Sequence, residues 1–232
     1  MGETPTRFRK IRRLRRVMIA VMMNRNDLPA LPVYCRALLL CAATAVSLPA
    51  LAVDGTITIN GEIIDSTCKI NGQTPPADLL VTLPKISRSA LKTKGATAGA
   101  TVFVLALTEC PSTLADGKVR AYFEPGRTTD YATGNLIAYQ TSSAVTTTKA
   151  AIPEAPGTAM SNVQIQLANP DGTAIRMGDD AATQGGRGET LQTSGTYKSA
   201  TLRYLARYVR TGDGEADAGK LVTYVQYSIV YP

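Results

Sequence analysis

The sequence predicts an all-β sandwich. Three observations carry this. Nearly every apolar segment after Val53 either alternates with period two or is a short apolar run bounded by turn residues. The intervening segments, at 141–149, 152–157, 178–195 and 211–219, are rich in Gly, Thr, Ser and Ala. Residues 87–94 form the sole helical candidate, about two turns at most. About eight or nine short strands in one domain, with no repeat period and no internal linker, fit two packed sheets.

The elements follow in chain order. In VDGTITINGEIIDSTC, residues 53–68, the positions Val53, Gly55, Ile57, Ile59, Gly61 and Ile63 share one parity. Asp54, Thr56, Thr58, Asn60 and Glu62 share the other, which is strand alternation. Residues 79–83 are a short apolar run ended by Pro84. Residues 101–107 are apolar on both parities, as in a strand buried on both faces. A turn at Asp116-Gly117 precedes a strand over 118–124, and 136–139 is a weaker one. Val163, Ile165 and Leu167 alternate with Gln164 and Gln166, and Asn169-Pro170-Asp171-Gly172 turns the chain into 174–177. Ala200, Leu202, Tyr204, Ala206 and Tyr208 line one face of a long strand, with Arg203 and Arg207 opposite. Leu221, Val225, Tyr227, Ile229 and Tyr231 share a parity, so a strand is expected to run to the end of the chain.

Residues 1–52 read as a leader. Arg36, the apolar run 37–46 and the small residues Ala50 and Ala52 have the pattern of a secretory signal peptide, cleaved after Ala52. The stretch before it suggests an over-extended N-terminus, with translation starting at Met22 or Met23. Nine of the 25 basic and two of the 18 acidic residues precede Val53, leaving sixteen of each and no net charge. The formal +7 therefore belongs to the leader, and Arg7 to Arg16 as a nucleic-acid arm is the minor reading. Cys35 and Cys41 lie in the leader. Cys68 and Cys110 remain, and in an exported chain one disulfide is the simplest expectation. It would close a loop of about 43 residues, for roughly 4 kcal/mol on a chain-entropy estimate.

Catalytic chemistry is sparse. The chain has no His, which removes His-assisted nucleophiles and His metal ligands. No phosphate-binding Gly loop lies between a strand and a helix. An enzyme is therefore not expected, and no cofactor is implied. Asp213-Gly214-Glu215-Ala216-Asp217 places oxygens at alternate positions, as calcium loops do, but a solvated hairpin tip explains it equally well. Tyr122, Phe123, Tyr131 and Tyr139 could stack against a sugar or simply pack the sandwich edge. Arg187-Gly188-Glu189 reads as a flexible surface loop.

Together these residues resemble the chaperone–usher pilins, the type 1-like fimbrial subunits of Gram-negative bacteria. Residues 61–68 (GEIIDSTC) match the first pilin strand and first cysteine. Gly95-Ala96-Thr97, then Phe103-Val104-Leu105-Ala106-Leu107 and Cys110, match the second cysteine's strand. Ala206-Arg207-Tyr208 matches the pilin Ala-Arg-Tyr strand, and Gly219 as fourteenth residue from the end with the penultimate Tyr231 matches the C-terminal signature, from which Pro232 departs. Tyr122-Phe123-Glu124-Pro125-Gly126 and Thr129-Asp130-Tyr131 look closest to the serotype-specific fimbrial subunits of the whooping-cough bacterium.

The resemblance implies an incomplete immunoglobulin-like β-sandwich lacking its last strand, in a domain spanning 61–232. It implies a groove edged by Gly219, Leu221, Val225, Tyr227, Ile229 and Tyr231. A periplasmic chaperone would pair with that edge first. At an outer-membrane usher, an extension over 53–60 of the next subunit would replace it, inserting Val53, Ile57 and Ile59, with Gly55 and Gly61 facing shallow sites. The product would be a head-to-tail surface filament used in adhesion, with host glycans as possible targets and no nucleic-acid partner. The alternative is a carbohydrate-binding tip adhesin or secreted lectin. Cys68 lies 16 residues after the expected cleavage point, which leaves room for a donor strand but not for a lectin domain.

Overall fold

The computed structural model describes residues 57–63 and 67–232. The chain groups into two units, Met1–Asn60 and Gly61–Pro232, and the second holds all the strands described. These are β1 (Lys69–Ile70), β2 (Thr97–Pro111), β3 (Lys118–Glu124), β4 (Thr129–Asp130), β5 (Asn135–Thr141) and β6 (Ala159–Ala168). They continue with β7 (Ala174–Ile175), β8 (Glu189–Thr190), β9 (Gln192–Ser194), β10 (Tyr197–Arg210), β11 (Lys220–Val222) and β12 (Gln226–Val230). The larger sheet runs β1-β2-β10-β6-β5-β11, with β4, β7 and β9 attached to it; the smaller runs β12-β3-β8. The all-β sandwich expectation holds.

Alternation explains which faces meet. Along β3, Val119, Ala121 and Phe123 are buried and their neighbours are not. Along β10, Ala200, Leu202, Tyr204 and Ala206 are buried, and past a register shift against β2 Tyr208, opposite Ile165, packs against the core while Val209, opposite Gln164, is buried on the other parity. Phe103, Phe123 and Tyr204 meet at ring centroids 5.2–6.2 Å apart, joining the two sheets. Leu105, Leu107, Leu136, Ile165 and Leu167 complete that core. The Cys68–Cys110 disulfide is formed, S–S 2.04 Å, and both cysteines are fully buried in the core.

Five sequence expectations need correction. Residues 101–107 are not buried on both faces: Val102 is 58% exposed, because β2's second parity faces outward. The helical candidate 87–94 shrinks to a 3-10 turn, Arg88–Ala90, capped by the Ser87 hydroxyl on the Ser89 N–H. Residues 61–63 are exposed and belong to no strand, so the domain's first strand is only β1, whose outer edge is closed by Gln73 folding back onto Ile70. Residues 64–66 lie outside the described residues. The C-terminal strand is divided: β11 pairs with β5 in one sheet and β12 with β3 in the other, with 223–225 crossing between them. A shared parity cannot reveal such a change of partner.

The fifth is Arg187-Gly188-Glu189, expected as a flexible surface loop. It lies at the surface but is anchored, with the residues just before it, by buried side chains. Asn169, buried, donates from Nδ2 to the Gly185 carbonyl at 2.9 Å, and its Oδ1 accepts the Arg187 N–H at 2.8 Å. Gln184, also buried, accepts the Phe123 N–H at 2.9 Å and donates to the Phe123 carbonyl at 2.7 Å. Tyr204 Oη accepts the Ala121 N–H at 3.0 Å and donates to the Arg187 carbonyl at 2.8 Å. With Val119 paired to Glu189 in β8, the edge of β3 facing away from β12 is satisfied by side chains as well as backbone.

Candidate functional site

The C-terminal segment lies at an edge of both sheets. β11 pairs only with β5, and β12 only with β3. Across from it run residues 77–86. Leu79, Val81 and Leu83 pack against the core while Leu80 and Thr82 are exposed, so the short apolar run expected as a strand over 79–83 shows strand-like alternation. The ladder is not. Among the described residues this stretch has no strand partner and no backbone–backbone hydrogen bond. Two tyrosines hold it in place: Tyr227 Oη donates to the Ala77 carbonyl at 2.6 Å, and Tyr208 Oη to the Pro84 carbonyl at 3.2 Å. Burial, and for Tyr227 the nearby Asp78 carboxylate, raises both phenols above their ordinary pKa.

Between these walls opens a cleft of about 1150 Å³. Its floor is the sandwich core itself, including Leu105, Phe123, Leu136, Ile165 and Leu167. Leu221, Val225, Tyr227, Ile229 and Tyr231 are half-buried along one wall, each packed against the core cluster. Gly219 lines one end at φ +150, a conformation that favours glycine. At the other, Tyr231 Oη accepts the Cys68 N–H at 3.2 Å, tying the chain's penultimate residue to the disulfide. In the crossing segment, Thr223 Oγ1 is buried with no hydrogen-bond partner among the described residues. An apolar cleft flanked by a strand with one free edge and by an unpaired backbone can accept one more strand.

The other predicted residues separate. Ile57 and Ile59 are 89% and 88% exposed, Gly61 has nothing near it, and Val53 and Gly55 lie outside the described residues. The aromatic group does not form a stacking platform. Phe123 and Tyr139 are buried, Tyr122 Oη donates to the Asp179 carbonyl, and Tyr131 is left exposed. In the calcium-like loop, Asp217 accepts the Ser161 N–H and Glu215 pairs with Arg88, so these carboxylates brace the loop to its neighbours. Sequence reasoning missed the 77–86 wall. The signal was the apolar run 79–83, read as an ordinary strand.

The family described as type-1 fimbrial protein, A, matches residues 83–232. The chain belongs to this fimbrial family. The serotype 3 fimbrial subunit of Bordetella pertussis is 44% identical to this fimbrial subunit over 214 residues, 90% of this chain and 100% of the relative. The serotype 2 fimbrial subunit of the same organism is 44% identical over 203 residues, 85% of this chain and 97% of the relative. Among solved structures, a chaperone–usher pilus subunit aligns with 81% of this chain and all of its own, at 16% identity and TM-score 0.48. As a member of this family, the protein is a structural subunit of a surface fimbria, built with homologous subunits, and not an enzyme.

Proposed function

We propose that the cleft is the acceptor site for a β-strand donated by residues 53–60 of a second fimbrial subunit, and that the filament grows by this exchange. The observation that carries the reading is the cleft floored by core side chains between β12, which is paired with β3 alone and leaves its other edge free, and residues 77–86, which have no strand partner among the described residues. An inserted strand bonds to both backbones, while Ile57 and Ile59 move from nearly full exposure onto that floor. Burying the two side chains contributes about 3–6 kcal/mol. Residues 1–52 are the leader removed on export, 53–60 the donor and 61–232 the acceptor domain. Before assembly a periplasmic chaperone covers the edge formed by Leu221, Val225, Tyr227, Ile229 and Tyr231, and an outer-membrane usher directs the replacement. The finished filament serves adhesion.

The test uses purified fibres on a denaturing gel. Unboiled wild-type fibres are expected to run as a ladder that collapses to monomer on boiling. A chain lacking residues 53–60 is expected to accept a strand but not to donate one, so it appears only at one terminus. Unboiled monomer without a ladder would overturn the proposal.

A further inference from the structure

The cleft is apolar along its floor but charged around its rim. Its lining includes the cations Lys85, Arg88, Lys149 and Lys220 against the carboxylates Asp78 and Asp217. Two of these charges are already engaged: Arg88 pairs with Glu215 at 3.1 Å, and Asp217 accepts the Ser161 N–H at 2.7 Å. Lys220 Nζ donates to the Ser142 carbonyl, a neutral partner. Lys85 and Lys149 are exposed, and among the described residues neither has a carboxylate within 4.0 Å. They stand on different segments: Lys85 on the wall opposite β12, Lys149 on the loop between β5 and β6. The rim is therefore net positive.

The incoming segment has the opposite sign. The donor 53–60 contributes Asp54, the residues 61–66 that join it to its own domain contribute Glu62 and Asp65, and 53–66 holds no basic residue. A free α-amino group at Val53 would still leave the segment anionic. Asp54 and Glu62 lie on the parity opposite Ile57 and Ile59. When the isoleucines face the floor, Asp54 faces the rim, and Glu62 follows two residues beyond the donor.

We infer that Lys85 and Lys149 recognise the acidic face of the incoming strand from a second copy of this chain, steering its capture and favouring acidic donors. This rests on the donor-strand reading and adds selectivity to it. Backbone pairing is indifferent to sequence and the isoleucine sites accept any similar apolar residue, so complementary rim charge distinguishes this donor from a neutral or basic one. Because the cations are solvated, the attraction acts mainly on the capture rate and is screened by salt.

The experiment mixes the full chain, dilute enough to limit self-association, with a labelled synthetic peptide of residues 53–66 and follows capture by fluorescence anisotropy. Raising salt from about 50 to 500 mM is expected to slow capture about three- to tenfold. Lys85→Glu with Lys149→Glu should slow it comparably at low salt. A peptide carrying Asp54→Lys and Glu62→Lys should be captured slowly by the wild-type chain and quickly by the charge-reversed chain. The wild-type chain with the reversed peptide tests the idea without altering the fold. Capture that ignores salt and both charge reversals overturns the inference while leaving the donor-strand reading intact. Absence of peptide capture under every condition overturns both.

Discussion

Lys198 occupies the parity of β10 that carries Ala200, Leu202 and Tyr204 into the core, and its side chain is only 8% exposed. An ammonium there needs partners. Its Nζ donates to the Leu114 carbonyl at 2.5 Å and to Asp116 at 2.8 Å, on the turn leading into β3. Lys198, by hydrogen bond and by charge, holds the Asp116 carboxyl below its ordinary pKa. A carboxylate whose pKa is depressed by folding stabilises the fold above its unfolded pKa of about 3.9, and that contribution is lost as pH falls through the folded value. Asp116→Asn is therefore expected to lower the melting temperature at neutral pH, with the two proteins converging under acid. Thermal melts across pH check this. An equal deficit at every pH would mean that the lost interaction is not the ion pair.

At the scale of elements, the outer edge of β3 is completed by groups that are not strands. Gln184 presents its amide to Phe123 as a ladder neighbour would, donor to carbonyl and carbonyl to N–H. Gln184→Ala leaves both Phe123 groups unpaired in a buried position, and is expected to cost about 2–4 kcal/mol in a urea titration of the purified chain. Such substitution of side chain for backbone explains much of what the sequence hid. The long strands were legible because period-two burial is local: Val119, Ala121 and Phe123 in β3, and Ala200 to Ala206 in β10, announce their faces. Pairing is not local. Leu79, Val81 and Leu83 alternate like any strand, yet form a wall without a ladder, and the C-terminal run keeps one parity while changing sheets at 223–225. The cleft's apolar edge was legible through Leu221, Val225, Tyr227, Ile229 and Tyr231. Its opposite wall and its cationic rim arise from segments brought together only by folding.

For the whole molecule, the disulfide and Tyr231 join regions distant in sequence. Cys68 is bonded to Cys110 at the end of β2, and its N–H is held by Tyr231 Oη just beyond β12. Replacing both cysteines by serine is expected to remove about 2–5 kcal/mol and to lower the yield of assembled subunit. Unfolding midpoints of wild type and double variant, with and without reductant, measure the loss; wild type in reductant should match the variant. The closure of β3's outer edge by Gln184, Tyr204 and β8 has a consequence for materials made from this protein. A sheet open on both sides could take up strands on either flank and build ribbons or branched networks. Here one flank of the smaller sheet is the five-residue β12 and the other only the two-residue β8, so under the proposed exchange each subunit has, in polymer terms, an acceptor valence of one at this sheet. Monomers with one acceptor and one donor can only make thread.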